Sequence, residues 1–285
     1  MTGIWGINVN QPDESMRMHL DGKARWVWEE TLKIHRRSAE TRVASSLSPI
    51  EIFVVLYYGG FLRQEPGNPR WEGRDRCIIS KGHGSLCMYP ILADLGYFPM
   101  KELERVCQEG SFLGGIPDPV IPGYETVNGS LGHGAGVGAG MALGLKRRGK
   151  DQTVYVVTGD GELHEGSNWE AFMFAAQHHL DNLVVIVDNN QISMLGPTDE
   201  IVSHRDLRAK FEAFGWVARE VKDGHSTTAI GETLLECRRD HSDKPKVVIV
   251  NTRKGNRVPG LENAPLSHVT AIKPDLIDQL LGKGA

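Results

Sequence analysis

The sequence has no long hydrophobic run, no paired cysteines and no marked excess of charge of one sign. Each absence removes a class of function. Its apolar runs, such as VVIVN near the C-terminus, are strand-sized, and the N-terminus lacks a basic segment followed by an apolar stretch. No membrane partner is expected, and the protein is read as cytoplasmic. Lys and Arg number 32 against 36 Asp and Glu, a formal net charge of -4, with no basic run. A surface that tracks nucleic-acid phosphates is therefore not indicated. Cys77, Cys87, Cys107 and Cys237 are far apart and form no C-x-x-C pair. That argues against a zinc site or a disulfide framework and leaves them as buried free thiols.

What is present is an ordinary globular composition. The chain has 285 residues, 40% of them hydrophobic, enough to bury a full core. Short β-branched runs alternate with helical patterns, the signature of an α/β fold with a mostly parallel sheet and helices on both faces. The strands fall at 76–80, 153–158, 182–188, 216–220 and 246–252. After the second of these, Trp169, Phe172, Met173, Ala176 and Leu180 recur at helical spacing, which predicts a helix packing that face on the sheet. KFEAFGW ends a helix at Gly215, a common C-terminal stop. In GSLGHGAGVGAGMALGLK small residues cover every face. Such a helix approaches another backbone closely, in a tight core or a subunit interface. With no repeat and no clear linker, residues 1–285 read as one domain, 1–62 being a helical N-terminal extension packed on it.

The chemistry concentrates in VTGDGELHEG and NLVVIVDNNQISMLG. A strand ends at Thr158, Gly159-Asp160-Gly161 forms a tight turn, and a helix N-terminus then faces a bound anion. By itself a G-D-G match is also an ordinary turn. A dinucleotide fingerprint fails at its third glycine, where His164 stands. Asp160 would moreover repel a pyrophosphate unless a cation lay between them. A divalent metal resolves the conflict, since Mg²⁺ prefers hard oxygen ligands and often bridges protein oxygens to a diphosphate. Asn190 ends the next strand at the same carboxyl edge, where ligands bind in open α/β sheets.

The pattern from Gly159-Asp160-Gly161 to Asn189-Asn190, with DRCIISKGHGS, PGYETVNGSLGHGAGVGAGMALG and KFEAFGW in that order, resembles the N-terminal section of transketolase over most of the chain. The resemblance implies a thiamine diphosphate-binding fold in which Asp160, Asn190 and the Ile192 carbonyl hold Mg²⁺ (or Ca²⁺ or Mn²⁺). Gly159, Gly161 and Glu162 would lie against the cofactor. It also implies that His83 and His268 reach the diphosphate and the reacting centre, where an imidazole can donate to phosphate or shuttle a proton. Gly129, Ser130 and Leu131 would approach the aminopyrimidine ring. Glu165 would join an acidic network across a subunit interface, its alternative being a first-turn glutamate favoured by the helix dipole.

The glutamate that activates the cofactor ring lies, in the resembled family, in a second domain that this sequence does not contain. A second subunit carrying the pyrimidine-binding and C-terminal transketolase domains is therefore expected, in an α₂β₂ heterotetramer. Two positions depart from the family: Arg42 stands where a substrate-contacting histidine is usual, and Ile116 replaces the histidine of G-H-P. The expected activity is transfer of a two-carbon ketol unit from a ketose-like donor to an aldehyde, with substrates other than the standard pentose phosphates. Arg42 as a surface residue and Ile116 as a core contact are the alternative. Two other readings remain. One is the α subunit of a 2-oxo acid dehydrogenase or related decarboxylating enzyme, disfavoured by SKGHGS and LENAPLSH. The other is a non-catalytic scaffold, which has no need of Asp160, Asn190 and His83.

Overall fold

The computed structural model of the chain describes residues 14–282. Five strands, β1 (Arg76–Ile79), β2 (Val154–Gly159), β3 (Leu183–Asn189), β4 (Val217–Val221) and β5 (Lys246–Asn251), form one sheet in the order β1-β2-β3-β5-β4, with every pairing parallel. They are the five expected from the β-branched runs. The helices in chain order are α1 (Glu14–Arg37), α2 (Val43–Leu47), α3 (Ile50–Tyr58), α4 (Met88–Asp94), α5 (Gly134–Arg147), α6 (Gly166–Gln177), α7 (Thr198–Val202), α8 (Leu207–Ala213), α9 (Thr227–Arg239) and α10 (Pro274–Leu280).

Because side chains alternate along a strand, each strand feeds two cores. Cys77, Ile79, Tyr155, Val157, Val184, Ile186, Val248 and Val250 pack under α1, α3 and α9. Ile78, Val154, Val156, Val185, Val187, Val247 and Ile249 pack under α5, α6 and α8. Burial on both faces explains why these strands read as continuous apolar runs rather than alternating ones.

Three expectations change in detail. The N-terminal helical stretch is three helices rather than one, with Pro49 just before α3, and it begins at Glu14; residues 1–13 of it lie outside the described residues. On α6 the residues turned inward are Asn168, Ala171, Phe172 and Ala175, whereas Met173 is 54% exposed and Leu180 falls beyond the helix. The aromatic cluster of Trp169, Phe172, Phe211 and Trp216 draws the helix over toward α8, which rotates Met173 outward. The small residues of α5 serve a definite contact on one side: a Cβ on Gly138 would stand 2.4 Å from a Val156 methyl, and one on Gly134 2.3 Å from Ser80 Oγ. On the other side, Gly136, Gly140 and Gly144 have nothing within 4 Å.

Gly215 does stop α8. It adopts φ +86°, the left-handed conformation that glycine takes without penalty, and its N–H donates to Glu212 O at 2.9 Å.

Candidate active site

The site lies at the carboxyl ends of β2 and β3. Register pairs Gly159 with Asp188, and Asp160 N–H donates to Asp188 O at 3.2 Å, so both aspartates reach one edge. The segment after β2 differs from expectation. A 3₁₀ turn spans Gly161–His164, and the α-helix starts only at Gly166. The reason is Glu162, whose buried carboxylate accepts from Gly159 N at 3.1 Å, from Gly132 N at 2.9 Å and from the Ser80 hydroxyl. Those bonds tighten the turn into a knot joining three segments of the site. Glu162 is thus saturated by the protein's own donors. Burial raises its pKa, against the lowering effect of those hydrogen bonds.

Asp160 is 2% exposed, and its Oδ2 accepts from Gln191 N at 2.7 Å. Burial, then the Asp188 anion, push its carboxyl up to about 6 against the pull of two backbone N–H groups and Lys81. Gln191 sits at φ +61°, a left-handed conformation that costs an L-residue about 1–2 kcal/mol and that brings its N–H to the aspartate. On either side of it, Asn190 Oδ1 accepts from Ile192 N at 3.1 Å, and the Ile192 carbonyl accepts from Lys254 Nζ at 2.7 Å. Asp160, Asn190 and the Ile192 carbonyl are therefore neighbours, as the sequence pattern implied. They fit a small hard cation, since their oxygens are of the right kind and an ammonium already rests on the carbonyl. Among the described residues no group of three or more His, Cys, Asp or Glu gathers for a metal. A set with a single carboxylate accords with that.

His83 and His268 come together with ring centroids 4.8 Å apart, and Ser45 Oγ lies 3.3 Å from His268 Nδ1. Burial, then Lys81, His268, Lys254 and Arg42, hold His83 down at about 2. Burial, then Lys254, Arg42 and Lys81, hold His268 at about 4. Both imidazoles are neutral near pH 7 and can accept a proton or donate one N–H. Arg42, at the N-terminus of α2, is exposed yet close enough to act on both rings. Ile116 is 50% exposed, so it is not a core contact. Its neighbour Pro117 accepts from Asn128 Nδ2 at 3.2 Å, and a Cβ on Gly82 would lie 2.6 Å from Asn128 Cβ, which sets this loop beside the His83 turn. In the 129–131 turn, Gly129 takes φ +123°, Ser130 is exposed and Leu131 half-buried. Glu165 caps α6 from an exposed position on the rim rather than from within the first turn.

Residues that the sequence pattern does not single out complete the site. Lys81 and Asp188 form a buried ion pair, with Ser48 Oγ donating to the same carboxylate at 2.7 Å and Thr252 also bonded to it. Burial would raise the Asp188 pKa, but Lys81 and these hydroxyls outweigh it and leave the carboxyl below its usual range. Lys254 is lowered to about 8 by burial and then by Lys81. A lysine inside SKGHGS and an aspartate closing an apolar strand were the available signals. Orphaned polarity points to a ligand too: Ser267 Oγ, beside His268, is buried without a hydrogen-bond partner.

Comparison with known proteins agrees with this geometry. Residues 42–283 match the family described as transketolase, thiamine diphosphate binding domain. One of the two subunits of the apulose-4-phosphate transketolase from Actinobacillus succinogenes is 37% identical over 92% of this chain and 94% of that protein. A 6-deoxy-6-sulfo-D-fructose transketolase subunit from a Clostridium species is 35% identical over 88% and 91%. The transketolase structure from Campylobacter jejuni superposes with a TM-score of 0.86 at 28% identity, covering 93% of this chain and 43% of that one. The chain thus spans less than half of that transketolase.

Proposed function

Because the chain belongs to the transketolase family, we propose that it is the diphosphate-binding subunit of a two-component transketolase, working on substrates other than the standard pentose phosphates. The observation that carries this reading is the juxtaposition of Asp160, Asn190 and the Ile192 carbonyl with two neutral histidines and Lys254 at one sheet edge. The relatives named as transketolase subunits support a partner polypeptide. The reading includes an α₂β₂ assembly in the cytoplasm, with the partner carrying the pyrimidine-binding and C-terminal domains.

Bound thiamine diphosphate supplies the nucleophilic carbon needed to move a two-carbon ketol unit. The chain's residues supply position and charge. Asp160, Asn190 and Ile192 hold Mg²⁺, which neutralises the diphosphate beside the Asp160 anion. Lys254 adds a buried cation beside the same ligands, and a phosphate oxygen suits it as an acceptor. His83 and His268 donate to the diphosphate or exchange a proton with substrate, roles open to them because burial keeps them neutral. Glu162 keeps the G-D-G turn, Ser80 and the Gly132 turn in register, so that 129–131 meets the aminopyrimidine ring. Glu165 on the rim faces the partner. Arg42, exposed near both histidines, suits a substrate carboxylate, sulfonate or phosphate, and Ile116 gives an apolar wall where a hydroxyl would lose a partner.

The test is reconstitution. The chain alone should show no ketol transfer, and mixing it with its partner, thiamine diphosphate and Mg²⁺ should restore it. Xylulose 5-phosphate and ribose 5-phosphate should be poor substrates, improved about tenfold by Arg42→His with Ile116→His. Full turnover by the isolated chain sinks the two-component reading. Ordinary efficiency with the pentose phosphates sinks the substrate reading.

A further inference from the structure

The loop after β5 has two sides with different duties. Thr252 and Lys254 turn into the site, the first bonded to Asp188 and the second donating to Ile192 O at 2.7 Å. Between them, the Arg253 backbone N–H donates away from the site, to His225 Nε2 at 2.9 Å. His225 lies in the turn joining β4 to α9 and belongs to none of the groups described above. Its Nδ1 stands 3.0 Å from Glu51 Oε2 on α3, and the two side chains are only 6% and 4% exposed. The Asn256 amide lies 3.0 Å from the same Nδ1, and the Asn256 carbonyl accepts from Trp28 Nε1 on α1 at 3.0 Å. The turn itself is pressed onto the end of β5. Gly224 N–H donates to Asn251 O at 2.8 Å, and a Cβ on Gly224 would stand 2.4 Å from that oxygen.

A backbone amide can only donate, so His225 Nε2 carries no proton. The ring is then the neutral tautomer with its hydrogen on Nδ1, aimed at the Glu51 carboxylate. That carboxylate orients the ring, and the ring orients the loop, in the manner of an outer partner that fixes a ligand-bearing group. We propose that His225 is a positioning residue: gripped by Glu51, it holds the Arg253 amide so that Lys254 is aimed at the Ile192 carbonyl and the diphosphate beside it. The proposal rests on the functional reading given above, because the consequence of mis-aiming Lys254 is weaker binding of the cofactor with its metal.

Side-chain geometry separates positioning from mere packing. Glutamine places an amide oxygen near where Nε2 stands and can still accept from Arg253 N–H. Asparagine reaches only to the Nδ1 position and cannot. With thiamine diphosphate and Mg²⁺ titrated into the complex of the chain and its partner, His225→Asn should weaken binding about tenfold. His225→Gln should stay within about threefold of the unmodified protein, while thermal midpoints of the two variants remain alike. Nitrogen NMR of labelled histidine should show His225 in the Nδ1–H form. Equal affinity in the unmodified and His225→Asn proteins overturns the proposal, as does a charged or Nε2–H ring. If both variants fail to fold, the ring serves the fold, and the positioning role is again overturned. An unmodified complex that binds no thiamine diphosphate overturns the functional reading itself and takes the proposal with it.

Discussion

Asp75 and Asp160 stand at opposite ends of the same parallel sheet, both buried, and they are treated in opposite ways. Asp75, just before β1, accepts from Arg63 N at 2.8 Å, Arg63 Nε at 3.1 Å, Arg63 Nη2 at 2.9 Å and Thr153 N at 2.8 Å. Its charge is matched by a guanidinium, and its oxygens are filled by donors that cannot move away. Asp160, just after β2, is held by backbone N–H groups, and among its charged neighbours is another carboxylate, Asp188, whose own lysine is already engaged. One end of the sheet closes a structural seam. The other keeps an anion whose compensation is incomplete within the chain, as a site for a cation requires.

The sharpest way to test this contrast is to remove each carboxylate and read both stability and binding. Asp160→Ala should weaken thiamine diphosphate binding in Mg²⁺ by on the order of 100-fold or more, measured by calorimetry on the reconstituted complex. Its urea midpoint without cofactor should hold or rise, because a costly buried charge is gone. If it unfolds as readily as an Asp75 variant, the two ends are not different in kind.

Asp75→Ala gives the complementary result. Leaving the Arg63 guanidinium and two backbone N–H groups without their acceptor should cost about 3 kcal/mol in denaturant unfolding. Cofactor affinity per folded molecule should not change. A loss of affinity without loss of stability breaks the comparison from the other side.

Histidines allow the smallest and most specific test. His35, at the end of α1, accepts from Ile272 N at 3.1 Å and lies 2.8 Å from Thr41 Oγ1, and burial lowers its pKa to about 4, partly offset by Glu40. The unfolded chain takes up a proton near pH 6.5, whereas the folded one resists until about pH 4. His35 therefore contributes stability that is fully present above pH 6.5 and is lost as pH falls toward 4, by about 2–3 kcal/mol. His35→Gln should flatten that part of the stability–pH curve, and Asp160→Ala should leave it in place. An acid limb unchanged in His35→Gln would mean that other groups set it.

Much of this molecule is legible in its sequence. The five strands declare themselves as β-branched runs because burial on both faces requires apolar residues at every position. The G-D-G turn and the Asn189-Asn190 pair mark the right sheet edge because parallel strands bring their carboxyl ends together. His83 and His268 stand out in their segments, and they do meet. What the sequence does not disclose depends on neighbours. The face of α6 is rotated by an aromatic cluster that includes Phe211 and Trp216. Glu162, expected against the cofactor, has its oxygens filled by Ser80, Gly132 and Gly159.

The sequence by itself determined the alternation of strand and helix, the stop at Gly215 and the stations of Asp160 and Asn190. These follow from interactions between residues a few positions apart, or from a period that every residue of an element repeats. Only the tertiary structure decided that Lys81 would pair with Asp188, that Lys254 would rest on the Ile192 carbonyl, and that Glu51 would grip His225. Those partners come from different strands, helices and loops. A long side chain has many rotamers with different acceptors, and packing selects one by burying the rest of the choice and leaving a single oxygen within reach.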